Sequence, residues 1–492
     1  MPLPENGTPW PPPHLRGYYE EIRRDDAWYA GDRHRLTAYH TNAPHRRERR
    51  RLWGRNRGIE HHPRAREPRL HVPLPGDIAT TSADLLFADM PTITVTDRAT
   101  QDRLDQLLDE GRIHQTLLSA AEQSAALSGV FLRVTWDREI AERPLLTVAQ
   151  PDGAVPEFRW GMLRAVNLWR ELSGSTTATV WRHVERHEPG RIMHVLYEGT
   201  GDNIGRAVPL TEHPETAGFV DLLGSDGLSI ETGLTALTAA YVPNMLPNRL
   251  RRGSPFGRSD YAAPIHDQFD ALDETWTSWM RDVRLARGRL IVPDAYLRSE
   301  GTGHGASFDD DREVWSALKI PPTEGAGITL AQFAIRVTEH QQTAEALMRQ
   351  AVQSAGYTAQ SFGLTGEGEP ITATEVDSRD QKSMVTRRKK AGYWKYPLSD
   401  MLGVILQVDA TVFAQRIAPE RPRVEFGDGV AESTEQTATT LDLLNRAAAV
   451  STATKVKILH PEWDDTAVQA EAAAILAETG AAAPDPVASF PM

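Results

Sequence analysis

The sequence predicts an α+β protein, with antiparallel sheet in its first half and long helices in its second. Three observations point there. Across residues 256–287, Tyr261, Ile265, Phe269, Leu272, Trp276, Trp279, Met280 and Val283 recur at a spacing that a 3.6-residue period gathers on one face. Around Glu188-Pro189-Gly190, two β-rich runs approach each other across a short turn, the mark of an antiparallel hairpin. Strands and helices do not alternate in the βαβ rhythm that a parallel sheet requires.

Taken in order, the proline-rich residues 1–13 are expected to be disordered or to form an extended arm. Residues 78–87 read as a helix burying Ile78, Leu85, Leu86 and Phe87 and stopping before Pro91, and residues 93–95 start a short strand. One helix is expected over 102–127, then a half-buried strand over 130–136. Residues 179–186 and 192–197 are the arms of the hairpin. The first long helix should run over 260–287. A Gly/Asp-rich excursion follows over 288–334, with a strand-like Leu290-Ile291-Val292, and reads as a small α/β module with a mobile tip. A second helix, 336–354, gathers Ala344, Leu347, Met348, Ala351 and Val352 on one face. Thr372-Ala373-Thr374-Glu375 has the spacing of a capping box, so a third long helix should start near Ala373, pass Lys390 and kink at Pro397. Residues 433–478 read as helical, with Ser433…Gln436 and Asp465 as caps, and 479–492 as a flexible tail.

At 492 residues the chain exceeds what one hydrophobic core sustains, so more than one substructure is expected. It has no cysteine, which excludes disulfides and thiolate metal sites. The start, with Pro2, Pro4 and Glu5, lacks the layout of a signal peptide, and folding inside a cell is expected. No apolar run approaches the roughly 18–20 residues needed to cross a bilayer, so no membrane partner is expected. Charge is uneven. Residues 14–71 hold 15 Arg against 8 acidic residues, whereas residues 72–492 sum to −19. A basic head can contact nucleic acid, but its Arg46, Arg47, Arg49, Arg50 and Arg51 are interleaved with Glu48, Trp53 and Glu60 and read more simply as a solvated or subunit-pairing surface. A body at −19 argues against a tight grip on phosphate.

Catalytic signatures are missing. There is no Gly-Lys pair, hence no P-loop, no zinc-binding His-Glu-x-x-His and no Gly-x-Ser-x-Gly elbow. Gly363-Leu364-Thr365-Gly366-Glu367-Gly368-Glu369 looks like a phosphate loop, but its two carboxylates would repel phosphate, and it reads as a flexible loop. His61, His62 and His71 could offer imidazoles to a metal and Asp309-Asp310-Asp311 carboxylates to a divalent cation. Both read as solvated polar groups, and no metal or cofactor is expected. Arg387, Arg388, Lys389 and Lys390 circle a helix and are expected to pair with acids such as Asp377 and Asp380, or across a subunit contact.

Several runs recur in a telling order: Trp28-Tyr29-Ala30-Gly31-Asp32; Leu70-His71-Val72-Pro73 through Asp84-Leu85-Leu86-Phe87; Gly257-Arg258-Ser259-Asp260-Tyr261 and then Leu272-Asp273-Glu274. After these come Ser361-Phe362-Gly363, Thr372-Ala373-Thr374-Glu375-Val376 and Tyr393-Trp394. In this the chain resembles, over residues 15–480, the portal proteins of long-tailed double-stranded DNA bacteriophages. The Arg-rich, proline-headed N-terminus departs from that pattern. The resemblance implies a portal fold of wing, helical stem, α/β clip and helical crown, assembling into a ring, commonly of twelve, with a central channel. It divides the chain into wing (14–255), stem helices (256–287 and 336–356), clip (288–335), tunnel loop (357–371), a long kinked helix returning to the wing (372–432) and crown (433–478).

On this reading the protein is no enzyme. It is a channel at one capsid vertex through which duplex DNA is packaged and ejected without sequence specificity. Ser361, Phe362, Gly363, Leu364, Thr365, Gly366, Glu367, Gly368 and Glu369 would form the loop facing DNA, with Phe362 and Leu364 touching it sterically. Tyr261, Phe269, Leu272, Trp276, Trp279, Leu347 and Ala351 would pack the stem. Gly301, Gly303, Asp309, Asp310 and Asp311 would lie in the clip that docks the terminase large subunit and then the head-completion adaptor. Major capsid and scaffolding proteins are the other implied partners, in a virion assembled in the host bacterial cytoplasm. The alternatives are another capsid or tail structural protein, or a nucleic-acid-processing enzyme that uses the basic head.

Overall fold

The structure is a computed structural model describing residues 2–40, 69–262, 264–286, 289–291, 298–299, 306–307, 329–331, 334–364, 373–427, 441–447, 449–460 and 463–478. It divides into two compact units, residues 1–426 and 427–492. In the larger unit, α1 (Pro13–Ala30), α2 (Arg33–Leu36) and α3 (Leu74–Phe87) lead to β1 (Thr92–Thr94), α4 (Arg98–Glu110) and α5 (Ile113–Leu127). Strands β2 (Gly129–Thr135), β3 (Leu145–Ala149), β4 (Ala154–Arg159), β5 (Met162–Glu171), β6 (Val180–Glu188), β7 (Arg191–Thr200) and β8 (Asn203–Val208) follow. After them come α6 (Pro214–Ala217), β9 (Ser229–Glu231) and β10 (Ala239–Pro243). The last elements are α7 (Ile265–Leu285), β11 (Arg289–Ile291), β12 (Arg298–Ser299), β13 (Ala306–Ser307), β14 (Thr329–Ala331), α8 (Val337–Ala355), α9 (Ala373–Thr411) and β15 (Arg423–Glu425).

The sheets are antiparallel, as the hairpin signal indicated. Six strands form the order β4-β5-β6-β7-β8, with β9 also on β7, and a second sheet has the order β10-β2-β3. The β6–β7 turn works because proline fixes the first turn residue and Gly190 takes φ +90°, a left-handed conformation costly for other residues. Strand β2 was expected to be half-buried, but both its faces are covered. Its period of two sends Phe131 into a core with Trp28, Tyr241, Tyr261 and Phe269, and Val130, Leu132 and Val134 into another with Phe87, Trp394, Leu402 and Ile405. The strand is therefore the partition between two cores.

Three expectations need correction, and one pair of alternatives is decided. Residues 2–12 form the extended arm and are not disordered. They lie along β8, with Gly7 N donating to Gly205 O (2.7 Å), Ile204 N to Thr8 O (3.0 Å) and Trp10 N to Asp202 O (2.8 Å). The Tyr197 hydroxyl donates to Pro4 O at 2.7 Å, and Trp10 is buried edge-on against Trp169 at 5.5 Å. Composition alone could not reveal this, because the edge that receives the arm lies nearly two hundred residues away.

The helix expected over 102–127 is two helices. Gly111 lies so close to Leu107 O that a Cβ would sit 2.4 Å from it, and Arg112 has φ +49°, which breaks the helical path. The first long helix begins at Ile265 and not near Asp260. Proline is tolerated at a helix start, and Pro264 caps this one, while the backbone before it is engaged elsewhere, with Asp260 N donating to Ala125 O at 2.9 Å. Tyr261 therefore precedes the helix, its hydroxyl donating to Pro75 O.

In the smaller unit, helices Thr452–Leu459 and Asp465–Glu478 pack through Val456, Val468 and Ala472. The cap of the second is Asp464, which accepts from Ala467 N at 2.7 Å, and not Asp465. Helix α9 is continuous from Ala373 to Thr411 with Pro397 inside it, and in the excursion β11 pairs with β14 and β12 with β13. The capping residues Thr372, Ser433 and Gln436, the segment 365–372 and the clip residues Gly301, Gly303, Asp309, Asp310 and Asp311 lie outside the described residues.

Candidate functional site

The site is built where α7, α8 and α9 meet. Along the α7/α8 pair, Phe269 and Leu272 are buried against Ala344, Ala351 and Val352, with Trp276, Leu347 and Met348 half-buried beside them. Alanine on the α8 face leaves room for the large side chains of α7 to approach its backbone. Farther along, Trp276 meets Trp279 edge-on at 5.2 Å, and the His340 ring stacks on Trp279 at 6.0 Å. Asp282 accepts from Arg336 and faces His340 Nε2, both at 3.0 Å, and these two partners hold its carboxyl below the usual carboxylate range. Val283, Ile335 and Val337 at this end are exposed.

The opposite end is closed by charge. Gly257 lies so near Ser128 that a Cβ would sit 2.4 Å from its carbonyl oxygen, so the run Gly257-Arg258-Ser259-Asp260-Tyr261 can press against β2 and β10. Asp260 thereby enters the interior. It accepts from Asn244 Nδ2 (2.9 Å), the Tyr357 hydroxyl (2.8 Å) and Lys390 Nζ (2.6 Å). Lys390 also donates to Ser82 Oγ at 2.7 Å. The Lys390 and Asp260 side chains are 2% and 1% exposed. Burial pushes the Lys390 ammonium down, with the Asp260 charge opposing that shift, and pushes the Tyr357 hydroxyl well up.

The turn after α8 grows from this knot. Gly356 ends the helix at φ +103°, and Thr386 Oγ1 donates to its carbonyl at 2.6 Å. Ser383 Oγ accepts from Thr358 N (3.0 Å) and lies 2.9 Å from Ser361 Oγ. Phe362 and Leu364 pack half-buried against the subunit's own core, and Gly363 is exposed at φ +67°. Apolar side chains beside an apolar surface bury themselves there, a partner that local sequence does not disclose. Thr365, Gly366, Glu367, Gly368 and Glu369 lie outside the described residues.

The remaining runs prove to be one another's partners. His71 Nδ1 lies 2.9 Å from Asp273, which also accepts from Val72 N at 2.9 Å, and Arg69 bridges Asp270 and Glu274. Gly31 is needed beside His71, whose ring a Cβ would meet at 2.8 Å, and Trp28 contacts the rings of His40, His71, His266 and Phe269. Trp394 meets Phe87 edge-on at 5.0 Å. His61 and His62 lie outside the described residues, and His71 is engaged by a carboxylate. Among the described residues no group of three or more His, Asp or Glu is arranged to hold a metal.

Within the basic quartet, Lys390 does pair with an acid, but with one far away in sequence rather than with Asp377 or Asp380. Lys390 pairs with Asp260, and Arg387 Nε donates to Leu85 O at 2.5 Å, because both side chains point into the interior where α3 and the pre-α7 run supply acceptors. Arg388 and Lys389 are exposed. Asp260 itself carried no sequence signal as a functional residue beyond its place in a quoted run; an acidic residue and a lysine 130 positions apart give no local pattern. Among the described residues no helix is long and apolar enough to cross a membrane.

A family model described as "Phage portal protein, SPP1 Gp6-like" matches residues 13–485. Among solved structures, a chain in the virion of a native gene transfer agent particle is 12% identical, with 79% of this chain and 89% of that chain covered and a TM-score of 0.44. Chains in the neck of the empty particle, computed with C6 symmetry, and of the native particle, computed with C12 symmetry, are also 12% identical. They cover 79% of this chain, and 90% and 89% of their own lengths, with TM-scores of 0.43 and 0.41. No curated protein sequence matches.

Proposed function

The chain belongs to the phage portal protein family, structural and non-enzymatic components of the virion that form the channel at the capsid vertex, and on that premise we propose that twelve copies close into a ring around passing duplex DNA. The family match over residues 13–485 carries this reading. The α7/α8 pair supports it: one face is packed by its own subunit, while Val283, Ile335 and Val337 at the far end are left exposed for a neighbour. Head-to-tail contacts between identical subunits that close make a ring.

In this reading residues 14–255 are the wing, α7 and α8 the stem, 288–335 the clip, 372–432 the return to the wing and 433–478 the crown. The clip, with Gly301, Gly303, Asp309, Asp310 and Asp311, docks the terminase large subunit and later the head-completion adaptor, while major capsid and scaffolding proteins surround the wing. Assembly takes place in the host bacterial cytoplasm. Since Phe362 and Leu364 face the subunit's own core, we assign the duplex-facing part of the tunnel loop to Thr365, Gly366, Glu367, Gly368 and Glu369. Two carboxylates there, on a body summing to −19, repel phosphate and let the duplex slide, where a lysine-lined loop would hold it.

The test is the mass of the purified protein in its native state. Twelve chains of 54.6 kDa give about 650 kDa for a closed cyclic assembly, with a central hole in electron micrographs. A folded monomer or dimer, or a particle without a hole, overturns the ring.

A further inference from the structure

Three separate segments converge on one carboxylate. Asp260 belongs to the run that enters α7, Tyr357 is the second residue after α8, and Lys390 lies on α9. Asp260 Oδ2 accepts from both Tyr357 (2.8 Å) and Lys390 (2.6 Å), and Oδ1 accepts from Asn244 (2.9 Å). A buried carboxylate needs such donors, and a buried ammonium, which only donates, needs acceptors close by. Lys390 finds Asp260 and Ser82. The tyrosine hydroxyl thus ties the first residues of the turn to an ion pair that the interior holds in one place. A second tie, from Ser383 on α9 to Thr358 and Ser361, fixes the same turn one and four residues on.

We propose that Asp260, Lys390 and Tyr357 are positioning residues that fix the root of the tunnel loop, making the turn at 357–364 one mechanical unit with the start of α7 and with α9. A displacement of either helix is then passed to the turn, and the turn cannot shift at Tyr357 without breaking a hydrogen bond to a buried charge. That this turn roots a loop facing DNA rests on the channel reading above; the tie itself does not.

Tyr357→Phe tests it with least harm to the fold, since Asp260 keeps Lys390 and Asn244 as donors. In the assembled protein, amide hydrogen exchange across 357–364 should rise by up to about tenfold, the effect of losing one hydrogen bond, while α5 and β2 exchange as in the unaltered protein. Lys390→Met should extend the loosening to the first turn of α7. Unchanged exchange across 357–364 in the tyrosine variant, or a rise shared equally by α5 and β2, overturns the proposal. Packaging by the same rings is read separately. Local loosening with packaging unaltered sinks the loop's contact with DNA and leaves the tie standing, whereas altered packaging without loosening sinks the tie.

Discussion

The two ends of the α7/α8 hairpin are held by opposite means. At the base, a carboxylate and an ammonium with almost no solvent exposure are satisfied by each other and by Asn244, Tyr357 and Ser82 of the same subunit. At the far end, Asp282, Arg336 and His340 make an ion cluster at the surface, beside exposed Val283, Ile335 and Val337. Charge in the interior is strongly constraining because either partner alone is costly there, whereas a solvated pair is screened and contributes little. The base is therefore complete within one chain, whereas the far end leaves Val283, Ile335 and Val337 exposed. In the proposed ring that division is apt: the root of the loop would be fixed before assembly, and the exposed apolar side chains would be left for a neighbour to cover.

The largest expected effect tests the base. Lys390→Met leaves Asp260 buried without its cation and should lower stability by about 3–5 kcal/mol, the usual result of breaking a buried pair from one side. Denaturant unfolding measures it; a loss below 1 kcal/mol would mean that water reaches the pair and that the base is no more constrained than the far end. Between the two ends, Leu272→Ala should cost about 2–5 kcal/mol, since a fully packed side chain leaves a cavity that facing alanines cannot fill. A near-neutral result would place the closure of this region in the contacts between subunits.

The smallest effect belongs to the far end and depends on pH. His340 and Arg336 depress the Asp282 carboxyl below its ordinary 3.8. A carboxylate with a depressed folded-state value contributes stability above the unfolded value and loses it as pH falls through the folded one. The thermal midpoint of the unaltered protein should therefore exceed that of Asp282→Asn slightly near neutrality, with the gap closing at pH below 3.8. A gap that persists in acid would show that the carboxylate's charge is not what holds this end.

Much of the scaffold was legible because it is local. The one-sided spacing from Ile265 to Met280, the Pro189-Gly190 turn and the strand at β2 are properties of consecutive residues, and they survive in the fold. The break at Gly111-Arg112 and the start of α7 at Pro264 were less legible, because a close backbone approach and committed amides decide them. The site was legible only as runs. Leu70-His71-Val72 and Leu272-Asp273-Glu274 could each be picked out, but nothing in either says that His71 and Val72 bond to Asp273.

By itself, then, the sequence determined the fold class, the long helices, the antiparallel sheet, the separation of a basic head from an acidic body and the likeness to portal proteins. The tertiary structure alone decided that the proline-rich arm lies on β8, that β2 divides two cores, that Phe362 and Leu364 turn inward, and that Lys390 belongs to Asp260. The physical reason is range. Periodicity and turn preference act between neighbours along the chain, whereas a buried charge takes whichever partner folding brings within a hydrogen bond, however many residues lie between them.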